Sequence, residues 1–241
     1  VSVALYELWI RRKGVVPGYM AGHSLGEYSA LVAAGAMDFS DAIKLVHERG
    51  KLMQEAVPLG AGAMAAIIGL SLDDVSRVCD EISGIVSPAN INSAEQIVIA
   101  GEADAVESAI SSCKDAGAKR ALKLEVSVPS HCALMAPAAD GLKTLLEQTN
   151  FRLPVIPVIH NVDGQIAADL PGIKSKLIRQ LSNPVRWSLC MQKMIDEGVS
   201  DLVECGPGKV LVGLMRRIDR SIKAAAIGEA NSLQDVLREF T

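Results

Sequence analysis

Apolar residues 1, 4, 5, 8 and 9 of VSVALYELWIRR repeat at the i, i+3, i+4, i+7 spacing of a helix laid against a core. Lys13 and Gly14 end that pattern, and VVPGYM (15–20) predicts a short buried strand. An Ala-rich helix is expected over 25–34. DAIKLVHERGKLMQEAV (41–57) predicts an amphipathic helix with Ser40 as its N-cap and Asp41 in the first turn. Placed on a wheel at ~100° per residue, Ala42, Leu45, Val46, Leu52, Met53 and Ala56 share one face. Lys44, His47, Glu48, Lys51, Gln54 and Glu55 share the other. Arg49 breaks the pattern, because it falls on the apolar face between Val46 and Met53.

The texture then changes. GAMAAIIGL predicts a strand, SLDDVSRVCDEIS a helix, and IVSPANIN and EQIVIAG two strands around a polar turn. EADAVESAISSCKDAGA is helical again, and KRALKLEVSV closes the series as a strand. This β-α-β-β-α-β order over residues 58–127 is that of a ferredoxin-like unit. It interrupts an α/β pattern made by residues 1–57 and 128–241. There VIPVIHNV is a buried strand, 173–182 and 187–197 are helices, and DLVECGPG is a strand followed by a turn. The final helix is expected over 208–219.

Composition narrows the function classes. A chain of 241 residues, 49% hydrophobic and 22% charged, is globular and large enough for one domain carrying an insert. No apolar run approaches the roughly 20 residues that cross a bilayer, and no signal peptide is visible, so no membrane partner is expected. Five cysteines, at 79, 113, 132, 190 and 205, lack any CxxC spacing. They read as reduced thiols of a cytosolic protein, not as metal ligands or disulfides. A net charge of −4 and 3% aromatics argue against nucleic acid. Val1 stands inside an amphipathic segment, so the natural N-terminus is expected upstream.

Candidate chemistry begins at AGHSLGEYSA. Gly22-His23-Ser24-Leu25-Gly26, between a predicted strand and helix, spells a nucleophile elbow, where small neighbours let the backbone cross itself and expose the hydroxyl. An ordinary glycine turn has the same spelling, so the serine needs a partner that takes its proton. Of four histidines, His23 adjoins the serine and packs under the turn, and His47 lies among Lys44, Glu48 and Lys51 on the solvated helix face. His160 ends a strand. His131, in VSVPSHCALM, follows a Pro129–Ser130 turn and opens an apolar helix, where the dipole disfavours a cation and suits a neutral base. An ordinary α/β-hydrolase places its histidine last, after the acid. No histidine lies beyond residue 160, so the group orienting His131 is something other than a late acid, such as a backbone carbonyl. Arg49 on an apolar face needs an anion. An internal carboxylate and a ligand carboxylate held by the planar fork are both open, and the elbow serine favours the second.

Taken together, GHSLGEYSALVAAGA, HERGKLMQEAVPLGAGAMAAIIG, NINSAEQIVIAG, VSVPSHCALM, RQLSNPVRW and ECGPGKVL closely resemble the discrete malonyl-CoA:acyl carrier protein transacylases. The resemblance implies an α/β-hydrolase-like core with a ferredoxin-like insert and the site in the cleft between them. Ser24 would take a malonyl group from coenzyme A as an ester, and His131 would be general base and then acid. The backbone carbonyl of Gln180 would hold the His131 ring, and the Leu25 N–H would supply half of the oxyanion hole. Arg49 would pair with the malonyl carboxylate, Met53 would line the same pocket, and Asn92 and His23 would order it. Malonyl-CoA and acyl carrier protein are the implied partners of a cytoplasmic or organellar monomer needing no metal or other cofactor. The family's glycine- and glutamine-rich first strand has no match here, so the chain is expected to start inside the family pattern. Rival readings are an acyltransferase domain of a polyketide or fatty-acid synthase, a serine thioesterase or hydrolase, and a non-catalytic carrier-protein scaffold. The SVPSH wording around His131 disfavours the first.

Overall fold

The structure is a computed structural model and describes residues 1–240. Helix α1 (Ser2–Arg11) leads to strand β1 (Met20–Ala21), helix α2 (Leu25–Ala33) and helix α3 (Phe39–Ala56). Then come β2 (Gly62–Ile68), α4 (Leu72–Glu81), β3 (Val86–Ser93), β4 (Gln96–Glu102), α5 (Ala103–Asp115) and β5 (Arg120–Lys123). The remainder runs α6 (Ala136–Gln148), β6 (Val158–Ile159), α7 (Leu170–Ser182), α8 (Trp187–Asp196), β7 (Asp201–Glu204), α9 (Val210–Ile218), β8 (Lys223–Ala226) and α10 (Ala230–Phe240).

Strands β2 to β5 form one antiparallel sheet in the order β3-β4-β2-β5. Its apolar face is closed by α4 and α5, with Ile67, Ile97, Ile99, Val75, Val106 and Ala109 fully buried between them. Ser71 caps α4 by accepting from the Asp74 N–H at 3.1 Å. Outside this unit, β1 pairs in parallel with β6, and β7 in parallel with β8. The principal core lies under α2, α3, α6 and α7 and includes Tyr28, Leu31, Leu45, Met53, Leu142, Ile173 and Leu177. A further cluster gathers around Trp187 with Ile159, Val185 and Met191. Val185 joins the two units: its carbonyl accepts from Ile91 N–H at 2.8 Å, and its N–H donates to Ala89 at 2.9 Å.

Several expectations need correction. The strand over 15–20 shrinks to Met20–Ala21, with Val15 and Val16 exposed. Pro17 has no N–H for a ladder, and the Trp9 indole takes the Val15 carbonyl. Helix α3 begins at Phe39, so Ser40 lies within its first turn and is not the cap; Asp38 precedes it and pairs with Arg152 at 2.5 Å. The strands expected over 119–128 and 155–162 are confined to Arg120–Lys123 and Val158–Ile159. His131 does not open a helix directly: a single 3-10 turn, Ala133–Met135, comes before α6. The chain also continues past the predicted last helix into β8 and α10. Leu233, Val236, Leu237 and Phe240 pack there with Trp9.

Candidate active site

Ser24 stands between β1 and α2 with φ +50°, and His131 sits in its own turn with φ +66°. Both occupy the left-handed region that costs a non-glycine residue about 1–3 kcal/mol, and surrounding bonds hold them there. The Ser24 N–H donates to Asn161 Oδ1 at 2.7 Å, and the His131 N–H to the Leu181 carbonyl at 3.0 Å. Gly22 is obligatory for the crossing. A Cβ there would lie 2.0 Å from the Gly26 backbone, whereas one on Gly26 would meet nothing within 4 Å.

The Ser24 hydroxyl lies 2.7 Å from His131 Nε2, and His131 Nδ1 lies 2.7 Å from the Gln180 carbonyl oxygen. A carbonyl only accepts, so Nδ1 carries the proton and the Nε2 lone pair faces the serine. The imidazole pKa is pushed down to about 3, chiefly by burial and in smaller part by the Arg49 cation and His23, with the bond to the Gln180 carbonyl opposing them. His131 is therefore neutral at physiological pH. Desolvation, not a helix dipole, is the main cause.

Arg49 is buried, 5% exposed, and Nη2 donates both to Ser24 Oγ and to Gln180 Oε1 at 3.1 Å. Its guanidinium lies 5.5 Å from the centre of the Tyr28 ring. Among the described residues Nε has no partner and no carboxylate is within ion-pair distance of the fork. The alternative of an internal salt bridge is thereby removed. Leu25 is the first residue of α2, and its N–H points out of the helix end without an acceptor among the described residues. His23 Nε2 donates to Asn92 Oδ1 at 2.9 Å, and its ring lies 5.5 Å from Trp187. Met53 lies one turn beyond Arg49, buried in the principal core. Ser24, His131, Arg49 and Gln180 thus meet directly. Asn92 and His23 meet each other, and Met53 is placed only by its helix face.

A buried polar network beneath the elbow was not anticipated. Glu27, fully buried, accepts from His160 Nδ1 at 2.7 Å, Asn161 N–H at 2.9 Å and Gln180 Nε2 at 2.9 Å. Asn161 also donates to the Gly22 carbonyl at 2.9 Å, and Gln180 Nε2 to the Ser24 carbonyl at 3.1 Å. Gln180 therefore acts through its side chain as well as its carbonyl. The one signal for this in the chain is Glu27 itself, the lone carboxylate of the Ala-rich helix, in its first turn. His160 is a satisfied partner of that acid, and His47 is exposed. Among the described residues no group of three or more His, Cys, Asp or Glu is arranged to hold a metal, and no helix is long and apolar enough to cross a membrane.

The model of the acyl transferase domain matches residues 1–235. The chain belongs to the acyl transferase family. Within that acyl transferase family it is 53% identical over 238 residues to the malonyl CoA-acyl carrier protein transacylase of Escherichia coli strain K12, covering 98% of this chain and 77% of the relative. Identity to the Bacillus subtilis (strain 168) protein of the same name is 45% over 236 residues, covering 97% and 74%. A malonyl-transacylase solved in complex with a type II polyketide synthase acyl carrier protein superposes with TM-score 0.97 at 54% identity, covering 99% of this chain and 78% of that one. The malonyl-CoA:acyl carrier protein transacylase of Xanthomonas oryzae pv. oryzae superposes with TM-score 0.98 at 43% identity, covering 100% and 77%.

Proposed function

We propose that this acyl transferase moves a malonyl group from coenzyme A to the phosphopantetheine thiol of an acyl carrier protein, for fatty-acid synthesis, through an ester on Ser24. The observation that carries the choice of acyl group is Arg49. A buried guanidinium with no carboxylate partner among the described residues touches the Ser24 hydroxyl itself. That geometry suits an acyl group ending in a carboxylate, which the planar fork binds at two points.

The steps follow from the contacts. Ser24 Oγ attacks the thioester carbonyl while its proton passes to His131 Nε2, and the Gln180 carbonyl steadies the imidazolium through Nδ1. The oxyanion develops beside the Leu25 N–H. As the intermediate collapses, His131 returns the proton to the departing coenzyme A sulfur. The carrier-protein thiol then gives its proton to His131 and attacks the malonyl-serine, and His131 passes that proton to the departing Ser24 Oγ, closing a ping-pong cycle. Arg49 exchanges its bond to Ser24 for the malonyl carboxylate and keeps Gln180 Oε1 as its anchor, with Met53, Asn92 and His23 completing the walls. This chemistry calls on side chains and backbone alone. Residues 1–57 and 128–241 are read as an α/β-hydrolase-like core and 58–127 as a ferredoxin-like subdomain, a reading supported by the strand order β3-β4-β2-β5. A cytoplasmic monomer remains part of the proposal.

Intact mass spectrometry after mixing the protein with malonyl-CoA tests this directly. One malonyl adduct is expected, lost on addition of holo acyl carrier protein and absent from Ser24→Ala. An adduct retained on Ser24→Ala sinks the assignment. Release as free malonate in the presence of the carrier thiol favours the thioesterase reading instead.

A further inference from the structure

Glu27 takes no part in the steps above, yet it is fully buried and accepts three hydrogen bonds from two separate segments, His160–Asn161 and helix α7. What it controls becomes clear from Gln180. The backbone carbonyl of Gln180 holds His131, its Oε1 faces Arg49, and its Nε2 donates to Ser24 O and to Glu27 Oε2. A side-chain amide can turn end for end. Turned the wrong way, its NH2 would oppose the Arg49 donors and strand them. Ser24 O already accepts the Glu27 N–H at 3.1 Å, so the carboxylate is the stronger acceptor holding the amide in its working direction.

We propose that Glu27 is a positioning residue for acyl selection, pinning the Gln180 amide so that Oε1 anchors Arg49 beside Ser24. The inference rests on the malonyltransferase reading of Arg49. With Glu27 removed, the Gln180 amide loses its fixed direction and the fork loses one of its two bonds. A malonyl carboxylate then meets a guanidinium that is no longer preorganised. Acetyl-CoA has no carboxylate and is indifferent to that loss. A purely structural Glu27 would depress both substrates equally.

The substitutions are graded by chemistry. In Glu27→Gln the amide oxygen must occupy the Oε2 place, because two N–H groups converge there. Its nitrogen then faces His160 Nδ1, which accepts in the other tautomer. In Glu27→Asp the carboxylate stays but is too short to reach all three donors. Glu27→Ala removes the acceptor altogether.

The experiment measures kcat/KM for malonyl-CoA over acetyl-CoA in the purified protein, with circular dichroism to establish folding. Glu27→Ala is expected to lower the ratio by about tenfold or more and Glu27→Asp by a few-fold, while Glu27→Gln stays within about twofold. In a Gln180→Met background, Glu27→Asp is expected to lower the ratio no further, because both changes break one link. If Glu27→Ala does not fold, the Asp and Gln variants carry the test. A wild-type ratio in folded Glu27→Asp, or an additive loss in the double variant, overturns the inference. Arg49→Ala serves as the control. If it leaves the ratio unchanged, the malonyl reading itself fails; if it collapses the ratio while the Glu27 variants do not, only the role of Glu27 fails.

Discussion

The chemistry converges on Arg49. Its two hydrogen bonds go to neutral oxygens, Ser24 Oγ and Gln180 Oε1, so among the described residues its charge has no counterion. Arg49→Ala is expected to lose malonyl transfer and to keep or gain acetyl transfer, because no guanidinium is then stranded by a neutral acyl group. Arg49→Lys should recover little, since an ammonium cannot make the planar two-point contact. Steady-state kcat/KM for the two thioesters measures both, and an unchanged ratio in Arg49→Ala would make the arginine structural. At the neighbouring His131, burial is the main cause that draws the imidazole pKa down to about 3. The acid limb of kcat/KM is therefore expected well below pH 6, not near the ordinary histidine value of about 6.5. A limb near 6.5 in the free enzyme would mean that the ring is wet before substrate arrives.

At the scale of the element, the strand-to-helix turn depends on two glycines for different reasons. A Cβ on Gly22 collides with backbone at 2.0 Å, and backbone cannot swing aside as a side chain can. Gly22→Ala is expected to cost more than about 3 kcal/mol and to remove activity, whereas Gly26→Ala should leave the melting temperature close to the parent value. Thermal melts of the two variants compare them directly; equal losses would mean that the elbow relaxes. Helix α7 is the other critical element, because its last turn supplies Gln180 while Leu181 takes the His131 N–H. The amphipathic spacing of that helix was legible over 173–182. Its N-terminal start at Leu170, with Asp169 capping Gly172 N–H at 2.7 Å, was not.

For the whole molecule, the depressed His131 pKa couples folding to pH. Between about 3 and 6.5 the unfolded chain binds a proton at this position that the folded chain refuses. Stability contributed by the neutral ring is thus present above 6.5 and lost as pH falls toward 3, at up to about 1.4 kcal/mol per pH unit. Denaturant midpoints for the wild type and His131→Asn should converge as the pH is lowered through that window. Parallel curves would show that His131 titrates alike in both states.

By itself the sequence determined what local periodicity and spelling can record. The helical phase of 41–57 marks Arg49 as a buried cation, the Gly-x-Ser-x-Gly spelling marks the elbow, and the count of histidines singles out His131. The alternation of elements over 58–127 also foretold a sheet with two helices. Tertiary structure decided which buried polar groups meet. Glu27 bonds to residues 133, 134 and 153 positions away, and Arg49 to one 131 positions away. Those contacts leave no trace in any window, because hydropathy reports whether a side chain is buried and not which partner satisfies it. The same holds for strands of two residues such as β1 and β6. Their pairing is set by packing across the core, with too few residues for a period to appear.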